Sequence, residues 1–95
     1  MRVRWTTPAR KQFVNAYEYI AVENRAAAVR TADQIWESTQ LLARHPRAGR
    51  EGRVGGTREL VISGTPFVVA YRIEKNEVHI LAVLHASREW PAEFE

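Results

Sequence analysis

The sequence predicts an α+β fold in two layers, a helical hairpin packed on one face of a mainly antiparallel sheet, in the order β-α-α-β-β-β. Three observations carry this prediction: helical periodicity fills residues 8–44, strand-type runs fill the chain after residue 58, and a glycine- and arginine-rich stretch separates them. At 95 residues and 45% hydrophobic content, the chain encloses one modest core, so residues 1–95 are expected to form a single domain.

The chain opens on a short strand, Arg2 to Trp5, with Val3 and Trp5 on one face and Arg2 and Arg4 on the other. Thr7-Pro8 then starts a helix, since a threonine hydroxyl can cap free amides and proline is tolerated at the first helical position. Phe13, Ala16, Tyr17, Ile20 and Ala21 recur at helical spacing, which carries this helix to about Glu23. Asn24 caps a second helix whose apolar positions, Ala28, Ala32, Ile35, Thr39 and Leu42, alternate in steps of four and three. Alanines on both apolar faces allow the helices to approach closely. His45-Pro46 ends the hairpin.

Residues 46–57 hold four of the five glycines and no apolar period, and are expected to form a loop. Three strands follow. In Arg58–Ser63, Arg58, Leu60 and Ile62 share a face; in Phe67–Ile73, Phe67, Val69, Tyr71 and Ile73 do; Val78–His85 is nearly continuous in apolar residues and should lie inside the sheet, with His85 in phase with Leu81 and Val83. Ser63-Gly64-Thr65-Pro66 and Glu74-Lys75-Asn76-Glu77 supply the turns.

Composition excludes several function classes. No segment reaches the ~20 apolar residues that span a bilayer, and the N-terminus lacks the apolar core of a signal peptide, so a cytoplasmic protein without membrane contact is expected. The absence of cysteine removes disulfides, thiol nucleophiles and thiolate metal sites. His45, His79 and His85 are dispersed, and Glu18, Glu23, Asp33 and Glu37 have the spacing of exposed helix faces; neither a metal nor a cofactor is expected. The net charge is +3, and of the fourteen cations only Lys11 and Lys75 are lysines. Guanidinium forks bind phosphate and carboxylate bidentately, so the bias favours an anionic partner, nucleic acid or an acidic protein.

The element order, together with Pro46-Arg47-Ala48-Gly49-Arg50, Gly56-Thr57-Arg58-Glu59-Leu60, Ala70-Tyr71-Arg72 and Val83-Leu84-His85-Ala86-Ser87-Arg88-Glu89-Trp90-Pro91, resembles the RelE/ParE superfamily of toxins from type II toxin–antitoxin systems. The likeness spans nearly the whole chain. It implies the toxic member of a pair, silenced in a hetero-oligomer by a small acidic antitoxin that folds on the toxin surface. RelE-like members cleave messenger RNA on the ribosome, whereas ParE-like members poison DNA gyrase without being nucleases. The positions where RelE-like enzymes carry catalytic cations fall here at Val68 and near Ala86, neither of which can stabilise a phosphate, so the ParE-like branch is favoured. A one-residue register slip would offer Arg72 or His85 instead, and Arg58, Arg72 and His85 are the residues an RNase would use.

Within that frame the target- or partner-binding candidates are Arg47, Arg50, Arg53, Arg58, His85, Arg88 and Trp90, and Trp36 is the candidate wall of an antitoxin groove. Each has a plainer role beside it. The basic run can neutralise phosphates or be a solvated loop. Arg58 can contact a target or pair with Glu59, Glu89 or another carboxylate. His85 can act as acid or base, or bond to the loop at the sheet end. Arg88 is a structural or antitoxin-facing residue. Trp36 lies one step off the apolar stripe of its helix, where it widens the core or anchors a partner.

Overall fold

The computed structural model describes residues 1–94. Its elements are β1 (Arg2–Trp5), α1 (Thr7–Ala21), α2 (Arg25–Leu41), β2 (Arg50–Glu51), β3 (Arg58–Val61), β4 (Phe67–Glu74) and β5 (Glu77–His85). The sheet order is β1-β5-β4-β3-β2. β1 runs parallel to β5 and every other pairing is antiparallel. The expected architecture is therefore present with one addition: the stretch expected to be loop contains the short strand β2, which pairs Arg50 with Glu59 and Glu51 with Arg58. No helix among the described residues is long and apolar enough to cross a membrane.

Both helices start at side-chain caps. Thr6, not Thr7, caps α1, because Thr6 is the last extended residue after β1: its amide donates to the Ile80 carbonyl at 3.1 Å. Its hydroxyl accepts from the Ala9 amide at 3.3 Å and donates to the Ile80 carbonyl at 3.0 Å, so one residue joins strand, helix and sheet. Asn24 caps α2 as expected, accepting from the Ala27 amide at 2.9 Å. The helices end two or three residues earlier than their apolar periodicity suggests. Their last turns tighten into three-residue bonds, Glu23 to Ile20 in α1 and Leu42 to Thr39 after α2.

Ala9 and Ala16 of α1 and Ala28 of α2 are buried, which is the close approach their small side chains permit. Ile35, Leu42, Ile62, Val69, Tyr71, Val78 and Ile80 form the core between hairpin and sheet. Beyond the end of β1, the Val83 amide finds no neighbouring strand and donates instead to the Gln12 side chain of α1 at 2.9 Å.

The β4–β5 ladder carries one irregularity. Ala70 pairs with Ala82 while Tyr71 pairs with Ile80, which leaves Leu81 as an extra residue. The bulge corrects the expected phase of β5: Val83 still shares the core with the hairpin, but beyond the bulge it is Ile80 and Val78 that join it, not Leu81. The β4–β5 turn has Lys75 and Asn76 at φ 51° and 63°, the left-handed pair that suits the twist of a two-residue hairpin.

Candidate functional site

The sheet face away from the helices is organised by one carboxylate. Glu59 lies on β3 beside Ala70 of β4 and is only 3% exposed. The Arg53 side chain bonds it at 3.0 and 3.2 Å, the Arg53 amide at 2.8 Å, and Arg50 at 3.1 Å. Burial works against ionisation of Glu59, but these donors outweigh it and hold the carboxyl below the usual glutamate range. Arg53 in turn lies over the Trp90 ring at 3.7 Å, and the Trp90 indole donates to the His85 carbonyl at 3.3 Å. Glu59 thus fastens both the basic loop and the C-terminal segment onto the sheet.

A second fastening works from the helix face. The Tyr71 hydroxyl donates to the Pro46 carbonyl at 2.7 Å and accepts from the Gly49 amide at 2.8 Å. Burial raises the Tyr71 pKa above its ordinary value, against the lowering effects of the Gly49 amide and of Arg58 and Arg47. Gly49 is glycine because a Cβ there would sit 2.7 Å from the Tyr71 hydroxyl and 2.8 Å from the Glu59 carbonyl. Arg58 donates to the Gly49 carbonyl at 2.7 Å and lies near the Arg47 carbonyl at 3.4 Å. It does not pair with Glu59, which points to the opposite face of β3 and is held there by Arg50 and Arg53.

The expected binding residues therefore do not all lie on one face of the sheet. Arg50, Arg53 and Trp90 belong to the Glu59 cluster. Arg47 and Arg58 line a shallow pocket of about 380 Å³ with Glu51, Gly56, Thr57 and Ile73. His85 sits at the other end of the sheet, edge-on to Phe67 at 5.8 Å, with its Nδ1 2.8 Å from the Ser87 hydroxyl and 3.2 Å from the Ser87 amide. Arg88 is exposed, and its amide bonds to the His85 carbonyl at 3.1 Å.

Arg58, Arg72 and His85 are also separated. Arg58 pairs with Tyr71, and His85 with Phe67. Four residues of strand place those rungs about 13 Å apart. Arg72 follows Tyr71 and so projects from the other face, opposite His79, with its Nε buried and without a hydrogen bond among the described residues. Arg58, Arg72 and His85 therefore do not converge on one reacting atom. Among the described residues there is also no group of three metal-ligating side chains.

Trp36 is half exposed. Its ring stacks on Trp5 with centroids 6.0 Å apart, and Trp5 tilts against Phe13 at 5.4 Å. The three rings floor a groove of about 550 Å³ that also involves Val14 and Arg2, Arg4 and Arg10.

A family model described as the ParE toxin of the type II toxin–antitoxin system parDE matches residues 3–90. The chain belongs to the ParE toxin family. It is 39% identical over 90 residues to the toxin-named protein Y4kP of Sinorhizobium fredii, covering 95% of this chain and 93% of that one. It is 32% identical over 87 residues to toxin RelE2 of Caulobacter vibrioides, covering 92% and 97%. Among solved structures it resembles a chain from the chromosomal ParDE system of Pseudomonas aeruginosa, with TM-score 0.83, 26% identity and coverage of 92% and 97%. It also resembles a chain of the Mycobacterium tuberculosis toxin–antitoxin complex RelBE2, with TM-score 0.52, 30% identity and coverage of 88% and 95%.

In this ParE-family chain, the residues that hold the candidate surfaces in place are ones that sequence patterns left unmarked. Glu59 looks like one charge in an alternating strand, and Tyr71 like one more core aromatic. Their roles depend on loop segments 6 to 25 positions away. A single signal for Glu59 was present: a carboxylate inside a run of arginines.

Proposed function

We propose that this ParE-family chain is the toxic half of a toxin–antitoxin pair and acts as a single folded unit. It works by binding a large bacterial target, DNA gyrase foremost, and is silenced in a hetero-oligomer by a small acidic antitoxin that folds on its surface. The observation that carries the choice of a binding poison over a nuclease is the dispersal of Arg58, Arg72 and His85 over two faces and two ends of the sheet. Catalysis of RNA cleavage needs a base, a cation and an acid around one phosphate. Val68, where a RelE-like enzyme would carry a cation, is buried apolar sheet.

The likeness to a chain of a ParDE system supports the ParE-like branch. The candidate contact surface for the target is the sheet end and tail around His85, Arg88 and Trp90, with the basic loop beside it. The likeness to toxin RelE2 keeps the ribosome-dependent RNase as the competing activity.

Pulse labelling of DNA and protein synthesis after induction of the chain without its antitoxin separates these activities. An early fall in DNA synthesis supports the gyrase reading. An earlier fall in protein synthesis overturns it in favour of the ribosome, and no fall in either points to an inactive member kept as a partner-binding module.

A further inference from the structure

The segment from Arg47 to Arg58 holds four arginines, and the structure divides them. Glu59 neutralises Arg50 and Arg53 on one face of β3. Arg47 and Arg58 form no ion pair among the described residues. Arg58 is positioned instead through one Nη on the Gly49 carbonyl at 2.7 Å, and Gly49 is fastened in turn by the Tyr71 hydroxyl. A guanidinium placed by a carbonyl keeps its whole charge, and its Nε and second Nη have no acceptor among the described residues. Both guanidiniums act on the same Tyr71 hydroxyl, favouring its ionisation against burial, so the two charges converge.

The space beside them is the pocket of about 380 Å³. Gly56 lines it with φ 77°, and a Cβ added there would meet no atom within 4 Å, so this wall is bare backbone. Thr57 is buried with its hydroxyl spent on the Val54 carbonyl at 2.7 Å, which leaves the polar side-chain lining to Arg47, Arg58 and Glu51. Glu51 is the cross-strand partner of Arg58 and shares its face of the sheet, yet it is exposed and pairs with neither arginine. Ile73, packed against the core, supplies an apolar wall.

Two unpaired cations, one carboxylate and an apolar wall around a small space match a ligand with three corresponding parts. A phosphate takes the guanidiniums, which bind its oxygens as forks. Glu51 repels a bare phosphate but accepts from vicinal hydroxyls, as carboxylates do when they hold a ribose. The sugar carbons then lie against Ile73.

We propose that this pocket binds a nucleoside 5′-monophosphate, with the phosphate on Arg47 and Arg58 and the ribose hydroxyls on Glu51. The site lies across β3 from the Glu59 cluster, and its occupancy stands apart from the target and antitoxin readings.

The test is calorimetric titration of the full chain with adenosine 5′-monophosphate at about 0.15 M salt, where attraction to net charge alone is screened. Inorganic phosphate, adenosine and the 2′,3′-dideoxy nucleotide are titrated in parallel. The monophosphate should bind and shift the Gly56 and Thr57 amide resonances, adenosine should not bind, and the dideoxy nucleotide should bind about tenfold more weakly. Arg47→Gln should weaken the monophosphate about tenfold, whereas Lys11→Gln, which removes a charge from α1, should leave it unchanged. Glu51→Gln should bind inorganic phosphate more tightly than wild type and the nucleotide more weakly. Arg47, Lys11 and Glu51 are all exposed, so these variants should fold.

Absence of nucleotide binding overturns the site. Equal losses in Arg47→Gln and Lys11→Gln overturn it in favour of diffuse attraction, and equal affinity for the dideoxy nucleotide overturns the role of Glu51. A short RNA with a free 3′-terminal diol that binds more tightly than the monophosphate reassigns the pocket to a strand end and overturns the free nucleotide.

Discussion

At the scale of single residues, two buried polar groups govern the basic loop. Glu59 accepts bonds from two arginines and one amide, and its removal leaves those donors to be satisfied by water. Arg50 and Arg53 are themselves about half exposed, which moderates the loss, so Glu59→Ala should destabilise the fold by about 2 kcal/mol. Because the folded pKa of Glu59 is lowered, its contribution is fully present above the ordinary glutamate range and is lost as pH falls through the folded value. Denaturant titrations from neutral pH downward should show wild type losing stability in that acid window and Glu59→Gln losing less; parallel profiles would refute this role. Tyr71→Phe removes the partner of the Gly49 amide and the Pro46 carbonyl while keeping the ring. It should lower stability by about 1–2 kcal/mol and speed exchange of the Gly49 amide more than that of core amides.

At the scale of elements, the strands with a clear alternating pattern and the two helices were legible because each has one apolar and one polar face. β2 was not, since two exposed residues carry no period and their pairing follows from the anchoring of the loop by Glu59 and Tyr71. The bulge at Leu81 was hidden for the opposite reason: in a run apolar on both faces, a shift of one residue leaves the pattern unchanged. The β4–β5 turn gives a direct test, because Asn76 tolerates its φ of 63° and a β-branched residue does not. Asn76→Val should lower the melting temperature through a loss of about 1 kcal/mol or more, while Asn76→Gly should be nearly neutral. A Val variant as stable as wild type would mean that the turn does not constrain the hairpin.

For the whole molecule, the sheet register decides which cations can act together. If the chain is a binding poison, alanine replacements at Arg58, Arg72 and His85 should each leave growth arrest on induction, provided that circular dichroism shows a folded protein. Loss of toxicity in all three folded variants would instead mark a shared catalytic role. Trp36→Ala should change stability by under about 1 kcal/mol, because the ring is half exposed, yet it should weaken antitoxin binding strongly if Trp36 is an anchor. By itself the sequence determined the two-layer α+β architecture, the helical hairpin, the turns and the family resemblance, since amphipathic period, caps and turn residues are local properties of the chain. Only the tertiary structure decided that Arg50 and Arg53 are engaged by Glu59, that Arg58 braces a loop, that His85 and Arg72 lie apart, and that Trp36 rests on Trp5 at an open strand edge. The physical reason is that a charge or a ring acquires its role from what packs against it, and here those neighbours come from distant parts of the chain.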